Sequence, residues 1–189
     1  NNYLDAIKSP GTNQHSIMVL QHGKVLASAW MNEGDPEKEH VMWSVSKTFT
    51  STAVGFAISE GKLKLTDKVI SFFPDKLPAE VSDNLKALEV RHLLTMNSGH
   101  DADPTSTIRE SGDNDWIKSF FAIPLKHQPG TYFVYNSLGT YILSAIVQRV
   151  TGQKVFDYLT PRLFKPLGIT GIYWDESPVG INCGGWGLH

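Results

Sequence analysis

The sequence predicts a mixed α/β (α+β) fold in which a helical region joins the first strands of an antiparallel sheet. Three observations carry that expectation. Residues 16–22 (SIMVLQH) and 24–31 (KVLASAWM) are β-prone runs set around Gly23, the pattern of a hairpin. Most of the remaining chain repeats apolar residues at spacings of three and four, the period of a helix packed along one face. No other run reads as a convincing strand, and a lone strand pair is marginal and leaves unpaired edges. The missing C-terminal strands are expected beyond residue 189. The 189 residues therefore read as the N-terminal piece of a single larger domain.

The elements can be justified in chain order. Residues 44–60 form the first long helical run, and Gly61 suits the C′ position that ends it. Thr66 and Asp67 cap a short turn leading to Phe72, Phe73 and Pro74. Residues 90–96 read as a short helix closed by Asn97-Ser98-Gly99, and the polar stretch 101–114 as loop. A brief amphipathic helix spans 116–123 and stops at Pro124; Pro129-Gly130 then turns the chain into extended residues 131–133. From 137 to 150, Leu138, Tyr141, Ile142, Ala145, Ile146 and Val150 mark a buried helix face, ended by Gly152. Residues 155–164 repeat the pattern before Pro166-Leu167-Gly168.

Composition narrows the function. An apolar share of 41% supports a core, and 19% charged residues is too ordinary for disorder. A net charge of −2 offers no basic face for nucleic acid. Cys183 is the single cysteine, so neither an internal disulfide nor a thiolate-rich metal site can form. No apolar run approaches the ~20 residues of a transmembrane span. The opening Asn1-Asn2-Tyr3-Leu4-Asp5 lacks the regions of a signal peptide, a beginning that removal of one would also leave.

The chemistry centres on Ser44-Val45-Ser46-Lys47. A serine and a lysine three residues apart share one helix face, so the amine can take the hydroxyl proton once it is neutral. Lysine ordinarily titrates near ~10.4, so that role needs burial and nearby positive potential. A helix N-terminus supplies such potential, and its free N–H groups can stabilise an oxyanion. The tetrad alone is weak: sixteen serines and thirteen lysines yield about one by chance, the usual hazard of short motifs. Two occur, and the second, Ser59-Glu60-Gly61-Lys62, straddles the helix stop and reads as solvated.

The surrounding segments decide between them. His40-Val41-Met42-Trp43-Ser44-Val45-Ser46-Lys47-Thr48-Phe49-Thr50 resembles the nucleophile segment of the serine β-lactamase and penicillin-binding protein superfamily. The nearest branch holds class C β-lactamases, D-alanyl-D-alanine carboxypeptidases and related esterases. The runs EGKLKLTD (60–67), HLLTMNSG (92–99), PGTYFVY (129–135) and FKPLGI (164–169) come in that branch's order, with Gly184-Gly185 after them. The resemblance implies a β-lactamase/transpeptidase-like fold, a serine nucleophile at Ser44, an activating amine at Lys47 and a partner base at Tyr135. It implies no metal or organic cofactor, a small-molecule or peptide-like substrate, and a periplasmic or extracellular setting, with the cytoplasm not excluded.

Two departures qualify that picture. The motif at Tyr135 reads Tyr135-Asn136-Ser137, with serine where the branch usually carries asparagine. Ser137 can still hydrogen-bond Lys47 or a substrate carbonyl, or cap the next helix. No Lys-Thr-Gly or His-Xaa-Gly triplet occurs after Tyr135, so the remainder of the same polypeptide is expected to complete the site. One oxyanion donor is worth about 3 kcal/mol in the transition state, and the 189 residues alone are expected to be inactive. A non-hydrolytic homologue that binds β-lactams as a sensor or scaffold is the competing reading. Gly184-Gly185-Trp186-Gly187 reads equally as a ligand cradle or a loop. His100 and Asp101 read as solvated loop residues, Trp30, Trp43 and Trp116 as packing, and Cys183 as inert.

Overall fold

The computed structural model describes residues 2–7 and 11–189, so residues 1 and 8–10 of the expected domain lie outside it. The chain divides into two compact units, residues 1–40 and 41–189.

In the first unit, helix α1 (Asn2–Ile7) precedes strands β1 (Ser16–Gln21) and β2 (Lys24–Trp30). The strands pair antiparallel, with Ser16 opposite Trp30 and Gln21 opposite Lys24. His22 and Gly23 both take left-handed backbone (φ 50° and 74°), which matches the tight two-residue turn favoured by strand twist. A register shift between Val19 and Leu20 kinks the ribbon. Met18, Val19, Leu20, Val25 and Leu26 are all exposed. Consecutive apolar residues on both faces are the composition of a sheet covered on both sides.

The second unit is helical. Its axis is α7 (Ser137–Thr151), in which every residue from Leu138 to Val147 is buried. A helix apolar all round belongs inside; α2 (Ser46–Ser59), α4 (Val90–Leu94) and α8 (Val155–Leu159) pack against it. Two of its buried hydroxyls reach out to the segment that follows α8: Tyr141 donates to Ser177 Oγ at 3.1 Å and Ser144 to the Asn182 carbonyl at 2.8 Å. Helix α6 (Trp116–Ala122) adds Trp116, Phe120 and Phe121 to the core.

Helix ends obey the expected punctuation. Gly61 (φ 71°) donates to the Ile58 carbonyl and Lys62 to that of Ala57, a Schellman closure of α2. Gly152 closes α7 in the same left-handed conformation. Three expectations are corrected. The first turn of the long helix is a 3-10 turn (Trp43–Val45), and the α-helix starts at Ser46. The stretch 101–114 is not all loop, because α5 (Thr105–Glu110) forms there, its start tied to Asp103 Oδ1 by the Thr105 N–H and hydroxyl. Ile108 is the one deeply buried apolar side chain of that helix, too little to show a period. Residues 155–164 split into α8 and a π turn (Thr160–Phe164), where Pro161 lacks the N–H that would continue the ladder. The short helix α3 (Asp83–Ala87), capped by Ser82, has no counterpart among the sequence-based expectations.

Candidate active site

Four hydrogen bonds fix the start of α2 against residues 183–189. Met42 N–H donates to the Leu188 carbonyl at 2.8 Å, and Leu188 N–H donates back to Ser46 Oγ at 3.2 Å. Thr50 Oγ1 donates to the Gly184 carbonyl at 2.8 Å, and Lys47 Nζ to the Gly185 carbonyl at 2.6 Å. This strap lies close because it carries no side chains at two positions. A Cβ on Gly184 would meet Ser144 Cβ at 2.8 Å, and one on Gly185 would meet the Ser137 carbonyl oxygen at 2.7 Å. Gly184-Gly185 is therefore neither a free loop nor an open cradle. It is the wall that holds Lys47, a role the sequence signalled only as a glycine pair.

Ser44 lies exposed in the 3-10 turn, and the half-buried Lys47 side chain folds back to donate to Ser44 Oγ at 3.1 Å. The same ammonium lies 4.8 Å from the centre of the Tyr135 ring. Three of the four residues singled out from the sequence, Ser44, Lys47 and Tyr135, thus share one point. Burial pushes the Tyr135 phenol up, but hydrogen bonding with Lys47 and Ser44, the Lys47 charge and the Ser137 hydroxyl outweigh it. The phenol is held below the ordinary tyrosine value.

Ser137 sits beside the other three without capping the helix. Asn136 is the N-cap of α7, its side chain accepting from Gly139 N–H at 2.8 Å, and Ser137 is the first helical residue. The planar amide oxygen of Asn136 reaches across the turn, so the capping role expected for Ser137 passes one residue back. Ser137 N–H instead donates to Asp103 Oδ2 at 3.2 Å. Among the described residues Lys47 donates to Ser44 Oγ and to the Gly185 carbonyl, and no hydrogen bond links it to Ser137.

His100 was expected in solvent and is 1% exposed. Its Nδ1 lies 2.9 Å from Ser98 Oγ and 3.4 Å from Asn136 Nδ2, and its ring packs 4.7 Å from Phe120. Burial lowers its pKa to about 4, so it is neutral at ordinary pH. This network backs the N-cap that carries Tyr135 and Ser137. Asp101 is exposed as expected, paired with Lys126 and His127. Trp116 is core, but Trp43 is 68% exposed and its φ of 43° is left-handed. That conformation in a bulky residue stores about 1–3 kcal/mol and collects at functional sites. Burial pushes the Cys183 thiol up to about 12, which leaves it inert.

Comparison with known proteins bears on the family and the fold. The Beta-lactamase family model matches residues 6–182. A 6-aminohexanoate-dimer hydrolase of Paenarthrobacter ureafaciens is 30% identical over 90% of this chain and 47% of its own length. Protein flp of Staphylococcus aureus is 28% identical over 82% of this chain and 33% of its own length. The octameric penicillin-binding protein homologue of Pyrococcus abyssi superposes with a TM-score of 0.71 at 22% identity, over 92% of this chain and 48% of that one. The fold is thus the β-lactamase/transpeptidase-like one, and the chain spans a third to a half of the length of these relatives.

Proposed function

The chain belongs to the beta-lactamase family, and from that premise we propose that it carries the nucleophilic wall of a serine hydrolase. The observation that carries this reading is Lys47 Nζ, fixed between Ser44 Oγ, the Gly185 carbonyl and the Tyr135 ring. In the proposed reaction Tyr135 accepts the Ser44 hydroxyl proton as Ser44 Oγ bonds to a substrate carbonyl carbon. Lys47 keeps the phenol acidic enough for that step. The Ser44 N–H, in the opening turn of the helix, faces the developing oxyanion. Collapse of the tetrahedral adduct breaks the bond to the leaving group, which takes the proton back from Tyr135. Water then releases the acyl group from Ser44 by the reverse sequence.

The substrate class is an ester, a linear amide or a β-lactam; the relative named for hydrolysis of a 6-aminohexanoate dimer puts linear amides first. We read residues 1–189 as part of one domain, since the family match runs through both compact units. The apolar residues on both faces of β1 and β2, and the need for a second oxyanion donor, support activity only in the longer polypeptide. Among the described residues no helix is long and apolar enough to cross a membrane, and family likeness supports a periplasmic or extracellular setting. The test is hydrolysis of p-nitrophenyl butyrate, nitrocefin and a linear 6-aminohexanoate dimer by the full-length polypeptide. Turnover of at least one, lost in Ser44→Ala, is expected. Turnover that survives Ser44→Ala rejects the mechanism, and stoichiometric acylation without turnover favours the non-hydrolytic reading.

A further inference from the structure

A second feature lies one residue from the nucleophile on one wall and one residue from the Lys47 anchor on the other. Trp43 precedes Ser44, with successive Cα atoms ~3.8 Å apart, and Trp186 comes directly after Gly185. Both line a cleft of about 360 Å³ that Arg109 of α5 also lines. The Arg109 guanidinium lies 5.2 Å from the centre of the Trp186 ring, and no ion pair among the described residues involves it. The other titratable side chains of the cleft are Asp175 and His189, and they face each other at 3.5 Å. His189 also stacks on Tyr173 at 4.3 Å. The cleft therefore presents one guanidinium outside any ion pair of the described residues, over an indole and in a cleft lined by the residue that precedes the serine. A guanidinium held in this way keeps its planar fork for two oxygens of one anion.

We propose that this cleft is a subsite for a carboxylate carried by the substrate, with Arg109 as its specificity-determining residue. The proposal rests on Ser44 being the nucleophile. Trp43 and Trp186 supply the apolar walls along which the chain between the scissile carbonyl and the carboxylate lies. The strained backbone at Trp43 gains a purpose, because it sets an indole next to the serine. Substrates ending in a carboxylate, such as linear dimers of amino acids or hemiesters of dicarboxylic acids, are the class selected.

The experiment compares matched substrates in the full-length polypeptide. With the charge on the acyl side, the p-nitrophenyl hemiester of glutaric acid is set against p-nitrophenyl pentanoate. With the charge on the leaving side, the butyryl ester of 3-hydroxybenzoate is set against phenyl butyrate. Arg109→Gln is expected to lower kcat/KM about 10- to 100-fold for at least one charged member, the worth of a charge-assisted pair, and to leave both neutral members unchanged. Arg109→Lys should restore part of the preference, since it keeps charge without the fork. An equal loss on charged and neutral substrates means that Arg109 only props Trp186, and overturns the proposal. So does no loss on either charged substrate. Quenching of tryptophan fluorescence by glutarate reads the subsite without turnover: loss of the quench in Arg109→Gln supports the proposal, and an identical response in both proteins rejects it. Ser44→Ala separates the two claims. If it leaves hydrolysis intact, the nucleophile reading fails, whereas Ser44-dependent hydrolysis indifferent to Arg109 removes the subsite alone.

Discussion

Helix α2 carries the same four-residue pattern at both ends, and the two ends have nothing else in common. At its start, Lys47 is clamped between Ser44 Oγ and the Gly185 carbonyl, with the Tyr135 ring alongside. At its finish, Ser59 Oγ donates to the Phe56 carbonyl of its own helix, and Lys62 pairs with its neighbour Glu60. Helical turns bring Ser44 and Lys47 to one face, whereas left-handed Gly61 ends the helix between Ser59 and Lys62. Distant chain widens the difference: the glycine strap and the turn before α7 converge on the first end only. A tetrad becomes a site through the groups brought to it.

That contrast breaks if the two ends respond alike. Ser44→Ala should remove ester hydrolysis by about 10⁴-fold or more, while Ser59→Ala leaves kcat/KM where it was. Next in size, Lys47→Met should lower kcat by about 10²- to 10⁴-fold, against no change for Lys62→Met, both read on p-nitrophenyl butyrate. Equal losses in either pair would erase the distinction.

The ends should also differ in how acid unfolds them. His100, buried behind the site, titrates at about 4 when folded against about 6.5 for a free histidine. Its unfolded form binds the extra proton, so stability is complete above pH 6.5 and drains as pH falls to about 4. The loss reaches about 3 kcal/mol. Denaturation by urea at stepped pH should show this slope, and His100→Gln should flatten it. Glu60 at the far end acts in a lower window. Its hydrogen bonds with Arg162 and Lys62 hold its pKa at about 2. The stability it contributes is present above about pH 4.5 and is lost as pH falls through about 2. Arg162→Ala should remove only this lower limb.

The smallest effects concern the glycines. Gly185→Ala forces a Cβ against the Ser137 carbonyl oxygen at 2.7 Å, so about 1–3 kcal/mol of stability and much of the activity should go together. Gly61→Ala meets nothing within 4 Å and carries only the penalty of its left-handed backbone. That is about 1 kcal/mol by thermal unfolding, with activity kept.

Much of this was legible before any coordinates. The hairpin, α7 and the stop at Gly61 announce themselves because period and punctuation are local signals. Ser44, Lys47 and Tyr135 were legible through ordered resemblance, since nothing in the tetrad itself ranks it above Ser59-Lys62. What stayed hidden depends on contacts across the sequence. The Gly185 carbonyl reaches Lys47 over 138 positions, and a backbone acceptor leaves no mark in residue identity. His100 looks like a polar loop residue until Ser98 and Asn136 are seen around it. Trp43 read as packing because exposure and backbone angle are properties of the fold, not of tryptophan.

The most direct test of the difference between the two ends is where an acylating probe lands. The full-length polypeptide is treated with a fluorophosphonate, digested and mapped by mass spectrometry. One adduct per chain, on Ser44 and absent in Ser44→Ala, is predicted. An adduct on Ser59, or labelling that persists in Ser44→Ala, would contradict the assignment of the nucleophile.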